Sequence, residues 1–404
     1  MRLSDIAEYS EEKISSQDIS VLEYVTTDSL LQNKEGRGIA HNLPPYPCNL
    51  TRYRKGDVLI SNIRPYLHKI WYADKEGGCS SDILVFRSKE GHSSDYLFAV
   101  LMQDSFFNYI TKGVKGSKMP RGDKNQIMRY VLPIFTRDYE DYIGKIILNI
   151  ENKIHLNRRM NETLEAMAKQ LYDYWFVQFD FPDEKGRPYK SSGGKMVWNE
   201  KLKKEIPAGW SCGTLLDIAE FKNGLAYQKF RPTDNNKLPI IKIKEMHTGI
   251  SSETEYVKSD IPESVTVQSG DVLFSWSASL DVMLWAYGEG GLNQHIFKVT
   301  SKNSFPRSFY YLQLKEYNEN FKRMAEARKT TMGHITQDHL KQSTIVLPQS
   351  IEITNKLEER LYPIFEMILQ NSQEIMSLTK LRDELLPLLM NGQVSVTFPS
   401  SAKL

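Results

Sequence analysis

The chain repeats itself. Asp5-Ile6-Ala7-Glu8-Tyr9 returns as Asp217-Ile218-Ala219-Glu220-Phe221, and Gly56-Asp57-Val58-Leu59-Ile60-Ser61 returns as Gly270-Asp271-Val272-Leu273-Phe274-Ser275. Trp71 aligns with Trp285, Glu76-Gly77-Gly78 with Glu289-Gly290-Gly291, and Val131-Leu132-Pro133 with Val346-Leu347-Pro348. The matches keep their order, and the offset stays between 212 and 215 residues. An ordered series of this kind marks a duplicated unit. The 404 residues therefore read as two equivalent halves.

A long helical pattern follows each Val-Leu-Pro. Its apolar seam runs through Ile143, Ile147, Ile150, Ile154, Asn157, Asn161, Leu164, Ala168, Leu171 and Trp175 in the first half. In the second half it runs through Leu357, Leu361, Ile364, Ile368, Asn371, Ile375, Leu378, Arg382, Leu385 and Leu389. The spacing alternates four and three without a break, which keeps one stripe facing a partner helix. Asn157 and Asn371 fall at equivalent seam positions, where a buried amide fixes register at a cost in stability. Each helix is predicted to run roughly 50–57 Å at 1.5 Å per residue. Two equivalent halves in one chain predict a pseudo-twofold, hence antiparallel helices with one globular domain at each end. Pro363 and Pro387 lie inside the second pattern and each removes a backbone donor, so a kink near Pro363 and weakening near Pro387 are expected;.

The globular parts read as mixed α/β. Asp57–Ile60, Ile83–Phe86, Asp271–Phe274 and Ile296–Val299 are short apolar runs that suit strands;. Gly77-Gly78 and Gly290-Gly291 read as turns. The polar run from Phe181 to Gly194, FPDEKGRPYKSSGG, reads as a linker;. The expected order is a first domain over 1–138, a helical region over 139–180, a linker over 181–205, a second domain over 206–350, a second helical region over 351–393 and a tail over 394–404.

Composition narrows the function classes. The net charge is only +2, so any nucleic-acid reading must rest on where the charges sit;. No run approaches the ~20 apolar residues of a membrane span, and the start MRLSDIAEYSEEK has no signal-peptide core;. Cys48, Cys79 and Cys212 are three in number and far apart, so they suit neither a disulfide framework nor a zinc site;. A cytoplasmic location is expected.

The sequence resembles the specificity subunits of type I restriction–modification systems. The resemblance lies in Gly56 to Pro65, GDVLISNIRP; in Leu164 to Pro182, LEAMAKQLYDYWFVQFDFP; in Leu381 to Val394, LRDELLPLLMNGQV; and in Ile206-Pro207-Ala208-Gly209-Trp210. It spans nearly the whole chain, although the first domain lacks the Pro-Ala-Gly-Trp entry of the second. It implies two target recognition domains, each reading half of a two-part site in double-stranded DNA, joined by two long antiparallel coiled-coil helices. It also implies that those helices space the domains and carry two adenine-methyltransferase subunits, with a separate restriction and motor subunit. S-adenosylmethionine and ATP would then bind the partners only, leaving this chain without a cofactor or a catalytic residue.

A near-neutral DNA binder needs a local basic surface. Lys112, Lys115, Lys118, Arg121 and Lys124 recur every third residue, among glycines that let backbone amides approach phosphates;. The corresponding region of the second half offers Arg328, Lys329, Thr330 and His334. After the shared Gly-Asp-Val-Leu-x-Ser frame the halves diverge, to Asn62-Ile63-Arg64 in one and Trp276-Ser277-Ala278 in the other. A common frame with different tips suits two domains reading different bases: Arg64 matches guanine and Asn62 adenine in the major groove.

Two motifs resemble catalytic sites and fail chemically. In Asn42-Leu43-Pro44-Pro45-Tyr46, Leu43 stands where an amino-methyltransferase needs its carboxamide, and no glycine-rich cofactor loop accompanies it. Pro182-Asp183-Glu184-Lys185 has its acids side by side, whereas a nuclease needs them on separate strand positions. No phosphate-binding loop is present, and the histidines lack metal-ligand spacing. The competing reading is a coiled-coil scaffold whose paired domains bind protein.

Overall fold

The computed structural model describes residues 1–114, 116, 119–233, 235–251, 253–277, 279–327 and 334–394. The chain divides into two compact units. One combines Met1–Lys153 with the chain from Leu378, and the other is Ile154–Ser377. The division cuts both long helices, so each unit holds part of each. No described helix is long and apolar enough to cross a membrane.

The first unit opens with a one-turn helix, Leu3–Ile6, whose Asp5 carboxylate accepts from the Arg2 amide at 2.7 Å. That explains the Asp-Ile-Ala motif: the acid caps the turn, Ile6 is buried and the chain passes straight into a strand;. Eight strands follow: β1 (Ala7–Tyr9), β2 (Lys13–Ser15), β3 (Tyr24–Val25), β4 (Asn49–Tyr53), β5 (Val58–Ser61), β6 (Ile70–Tyr72), β7 (Gly77–Cys79) and β8 (Ile83–Ser88). They form two sheets of four, ordered β1-β8-β5-β6 and β2-β4-β7-β3. The helices Ser94–Leu101 and Asp104–Lys112 pack an apolar layer, including Phe98, Phe106 and Phe107, against the first sheet.

The second unit carries the hairpin β9 (Met196–Asn199) and β10 (Lys204–Pro207), then β11 (Ser211–Gly213) and β12 (Ala219–Asn223). It continues through β13 (Lys237–Ile241), β14 (Tyr256–Lys258), β15 (Thr266–Val267), β16 (Val272–Ser275), β17 (Asp281–Leu284), β18 (Gly290–Leu292), β19 (Ile296–Ser301) and β20 (Ile345–Leu347). Its sheet β12-β19-β16-β17 repeats the order β1-β8-β5-β6 strand for strand. The other sheets share a three-stranded core, β4-β7-β3 and β15-β18-β13, with parallel pairing between β3 and β7 and between β13 and β18. Each adds one further strand, on opposite edges: β2 beside β4 and β14 beside β13.

The shared Gly-Asp-Val-Leu-x-Ser frame has a physical role at each end. Gly56 and Gly270 sit at φ +90° and +93°, which disfavours any residue with a Cβ;. Asp57 and Asp271 accept from the Arg54 and Gln268 amides at 2.7 and 2.8 Å and tighten that turn. Ser61 Oγ donates to the Ile63 carbonyl and Ser275 Oγ to that of Ser279, closing the chain as it leaves the strand.

Three expectations need correction. Trp71 pairs with Leu59 and Met283 with Leu273, while Ala73 and Trp285 donate to the carbonyls of Asp57 and Asp271. The counterpart of Trp285 is therefore Ala73, and Trp71 answers to Met283. Gly77-Gly78 and Gly290-Gly291 lie inside β7 and β18 and are not turns. A Cβ on Gly77 would stand 2.3 Å from the Glu23 carbonyl oxygen, so that strand pair closes only over glycine;. The expected linker is a packed segment: Phe181 is buried, stacked 4.9 Å from Trp210 and 4.7 Å from Tyr189, and leads into the β9–β10 hairpin.

The first long helix runs Arg137–Tyr172 and continues as a π-helical turn, Asp173–Val177, with Trp175 buried. The second runs unbroken through both prolines, Ile351–Met390. Within each unit the two helices run antiparallel, as the seam predicts. In the first, Tyr139 donates to the Leu389 carbonyl at 3.3 Å and Arg382 meets Glu151 at 2.6 Å. In the second, Asn157 donates to Glu374 at 2.7 Å and Asn371 to Asn161 at 2.9 Å. Ile143, Ile147, Ile150, Ile154, Asn157, Leu361, Ile368 and Asn371 are buried, and Leu164, Leu171, Ile364, Leu378 and Leu385 are half-buried.

Candidate nucleic-acid interface

Beyond β5 the chain forms a tip, and three segments are tied there by backbone hydrogen bonds. Asn62 N–H donates to the Asp82 carbonyl at 2.8 Å, Gly122 N–H to that of Asn62 at 3.1 Å and Arg64 N–H to that of Pro120 at 2.9 Å. Ile63 and Arg121 face each other in an isolated bridge. The tip then turns through Pro65–Leu67 with Arg64 and His68 both in the left-handed region, at φ 50° and 49°. Each such residue costs roughly 1–2 kcal/mol. The Asn33 and Lys34 amides hold the turn by donating to the carbonyls of Leu67 and His68 at 3.0 and 2.9 Å. Lys34 and His68 also bracket Asp104, at 2.7 and 3.4 Å, and with His68 foremost they hold its carboxyl well below the usual range.

Asn62, Arg64 and Arg121, far apart in the sequence, are thus brought to one tip. Arg64 and Arg121 are exposed, and Arg121 Nη2 lies 2.9 Å from Asp82 Oδ1. Gly122 packs close to Asn62, since a Cβ there would stand 2.9 Å from Asn62 Oδ1 and push that side chain aside. Lys112 is exposed in the last turn of Asp104–Lys112. Lys124 is exposed at the start of a short helix capped by Asp123, and its Nζ sits 5.9 Å over the Tyr9 ring. Lys115 and Lys118 lie outside the described residues.

The second unit builds the same tip. Trp276 N–H donates to the His295 carbonyl at 3.3 Å, and Ile335 N–H to the Trp276 carbonyl at 3.0 Å. Trp276 therefore stands where Asn62 stands, His295 where Asp82 stands and His334 where Arg121 stands. The Trp276 ring lies 5.5 Å from His295 and 5.7 Å from His334, and its Nε1 donates to Asn223 Oδ1 at 3.0 Å. Ser277 is buried, with 6% of its surface exposed. Arg328, Lys329 and Thr330 lie outside the described residues.

Sequence reasoning missed Asp82 and His295. Each precedes a strand, β8 or β19, and reaches the tip only because that strand pairs with β5 or β16. Strand pairing at long range is not a local signal. Among the described residues no group of His, Cys, Asp and Glu is placed to hold a metal ion.

The chain is similar in sequence and fold to known proteins. Residues 207–378 match the family model described as Type I restriction modification DNA specificity domain. The chain is 23% identical over 401 residues to the Type I restriction enzyme MjaIX specificity subunit of Methanocaldococcus jannaschii, covering 95% of this chain and 86% of that protein. It is 24% identical over 438 residues to the Type I restriction enzyme HindI specificity subunit of Haemophilus influenzae, covering 92% and 94%. The crystal structure of a type I restriction–modification S subunit from M. genitalium superposes with a TM-score of 0.58 at 13% identity, over 96% of this chain and 95% of that one. The family match falls on the second half alone, and the first half repeats the sheet order and the tip of the second. Residues 207–378 are thus similar to the type I DNA specificity domain, and nearly the whole chain resembles the specificity subunits of type I restriction–modification systems.

Proposed function

We propose that this chain is the DNA-reading subunit of a type I restriction–modification complex, with each repeated domain reading one half of a two-part site. The observation that carries this reading is the tip built twice on one backbone plan and filled with different side chains. A fixed frame sets where a side chain meets the major groove, and the side chain sets which base it accepts. The paired helices, with their polar seam positions, space the two readings and offer the surface on which methyltransferase subunits dock. S-adenosylmethionine, ATP, methyl transfer and cleavage belong to those partners and to a motor subunit, and the chain itself transfers nothing.

Methylation mapping of a host expressing this chain with its cognate methyltransferase is the direct test. The expected result is modified adenines in two short sequences separated by a fixed gap. Methylation at one undivided sequence would refute the two-domain reading. A purified complex with no salt-dependent affinity for duplex DNA would favour the protein scaffold instead.

Lys112 and Lys124 are exposed on the short helices before and after the segment that brings Arg121 to the first tip, and phosphate contacts supply affinity without choosing sequence;. Replacing both with glutamine should weaken binding to all duplexes alike. The slope of log affinity against log salt should fall by about 0.9 for each phosphate no longer neutralised. An unchanged slope would show that these two lysines stand off the backbone.

A further inference from the structure

We propose that the three tip positions form the base-reading triplet of each domain, and that in the first domain Arg121, held by Asp82, reads a guanine. The inference rests on the DNA-reading function above and names how that site chooses its base. The triplets are Asn62, Asp82 and Arg121 in one domain and Trp276, His295 and His334 in the other. The same backbone hydrogen bonds place the members of each triplet, yet no side chain is shared between them. A tip that served only to close the fold would have no use for three simultaneous changes of chemistry at a constant frame.

The Asp82–Arg121 pair separates base reading from phosphate binding. Its net charge is zero, so it would release few counterions on meeting DNA, and the Asp82 carboxylate repels a phosphate. The carboxylate takes one Nη2 contact at 2.9 Å and fixes the plane of the guanidinium, while 56% of the Arg121 side chain stays exposed. The donors left free form a rigid planar fork that matches O6 and N7 of guanine in the major groove. Lysine has one ammonium and no fork, so it cannot replace arginine in this role. Asp82 is a positioning residue here, because it acts through Arg121.

The second triplet holds no arginine. Trp276 has its only donor committed to Asn223, so it presents ring surface between two imidazoles. Ring surface suits the thymine methyl group, whose recognition in the major groove is apolar. The two half-sites should therefore differ in base composition at the positions the tips touch.

The experiment uses the full chain in complex with its methyltransferase and duplexes carrying single base-pair changes, at several salt concentrations. Arg121→Ala and Arg121→Lys should both cut the preference for one G·C pair in one half-site, by roughly 5- to 150-fold. The other half-site and the gap should be unchanged, and Trp276→Ala should map to that other half. Asp82→Asn should lower the same preference while steepening the salt slope, since it frees a cation; a purely structural change would not steepen it. The inference is overturned if Arg121→Lys keeps the full preference. It is also overturned if Arg121→Ala weakens all sequences equally and flattens the salt slope by about 0.9, the mark of a phosphate contact. A first half-site without a G·C pair would overturn it as well. A wild-type complex with no DNA affinity is a different result, which removes the functional reading itself.

Discussion

Replacing Arg382 with alanine should destabilise the first unit by roughly 3–5 kcal/mol. Arg382 occupies a seam position that the heptad pattern assigns to an apolar residue, and it is buried there with Glu151 at 2.6 Å. Its side chain is 6% exposed and that of Glu151 is 3% exposed. Arg382 also donates through Nε to Asp383 at 2.8 Å, which lies at its edge and is partly solvated. Truncating the arginine leaves a carboxylate inside a helix pair without its guanidinium, and that desolvation penalty dominates. Arg382→Leu combined with Glu151→Leu should recover most of the stability, because two apolar side chains satisfy a seam without charge. Urea unfolding midpoints of the two variants decide the matter. A midpoint unmoved by Arg382→Ala would mean that Glu151 is satisfied without the guanidinium.

Lengthening the helices should change the gap between the half-sites. A heptad inserted after Ile154 and another after Ser377 would enter both helices between the Glu151–Arg382 pair and the Asn157–Glu374 pair. Seven residues add about 10.5 Å of helix. At roughly 3.4 Å per base pair this corresponds to about three base pairs. The seam survives with only about 20° of drift. The DNA rotates by roughly 100° over that length, because a turn takes about 10–10.5 base pairs. A gap longer by three base pairs, or loss of modification, is the expected outcome, with both half-sites unchanged. Full modification at the original gap would show that the helices serve partner docking and set no distance.

What was legible in the sequence was whatever repeats at short range. The heptad seam picked out Ile143, Ile147, Ile154, Leu361 and Ile368, which are buried, because a 4-3 spacing needs no knowledge of the partner;. It did not identify the partners. Asn371 meets Asn161 and Asn157 meets Glu374, a pairing that depends on how far one helix slides along the other. Local chemistry also misled where packing overrode it. Gly77-Gly78 has turn composition, but strand closure over Tyr53 and Glu23 leaves no room for a side chain. The polar run after Phe181 has linker composition, but Phe181 at its start is stacked on both Tyr189 and Trp210. The tips show the same division: Asn62, Arg64, Arg121, Trp276 and His334 stood out by type, whereas Asp82 and His295 gain meaning only through strand pairing.

The first unit is assembled from both ends of the chain, and this imposes an order of events on synthesis. Ile154–Ser377 is continuous and has all its residues available once Ser377 has left the ribosome. The first unit buries Leu386, Leu389 and Met390 in one cluster with Ile143 and Ile147, so it stays incomplete until Met390 has been added. Its closing contacts span some 250 residues, since Tyr139 donates to the Leu389 carbonyl. Contacts so distant in sequence form slowly and leave apolar surface waiting. The unit translated first is thus finished last, and a nascent chain stalled short of Leu386 carries one completed unit and one that still lacks part of its core.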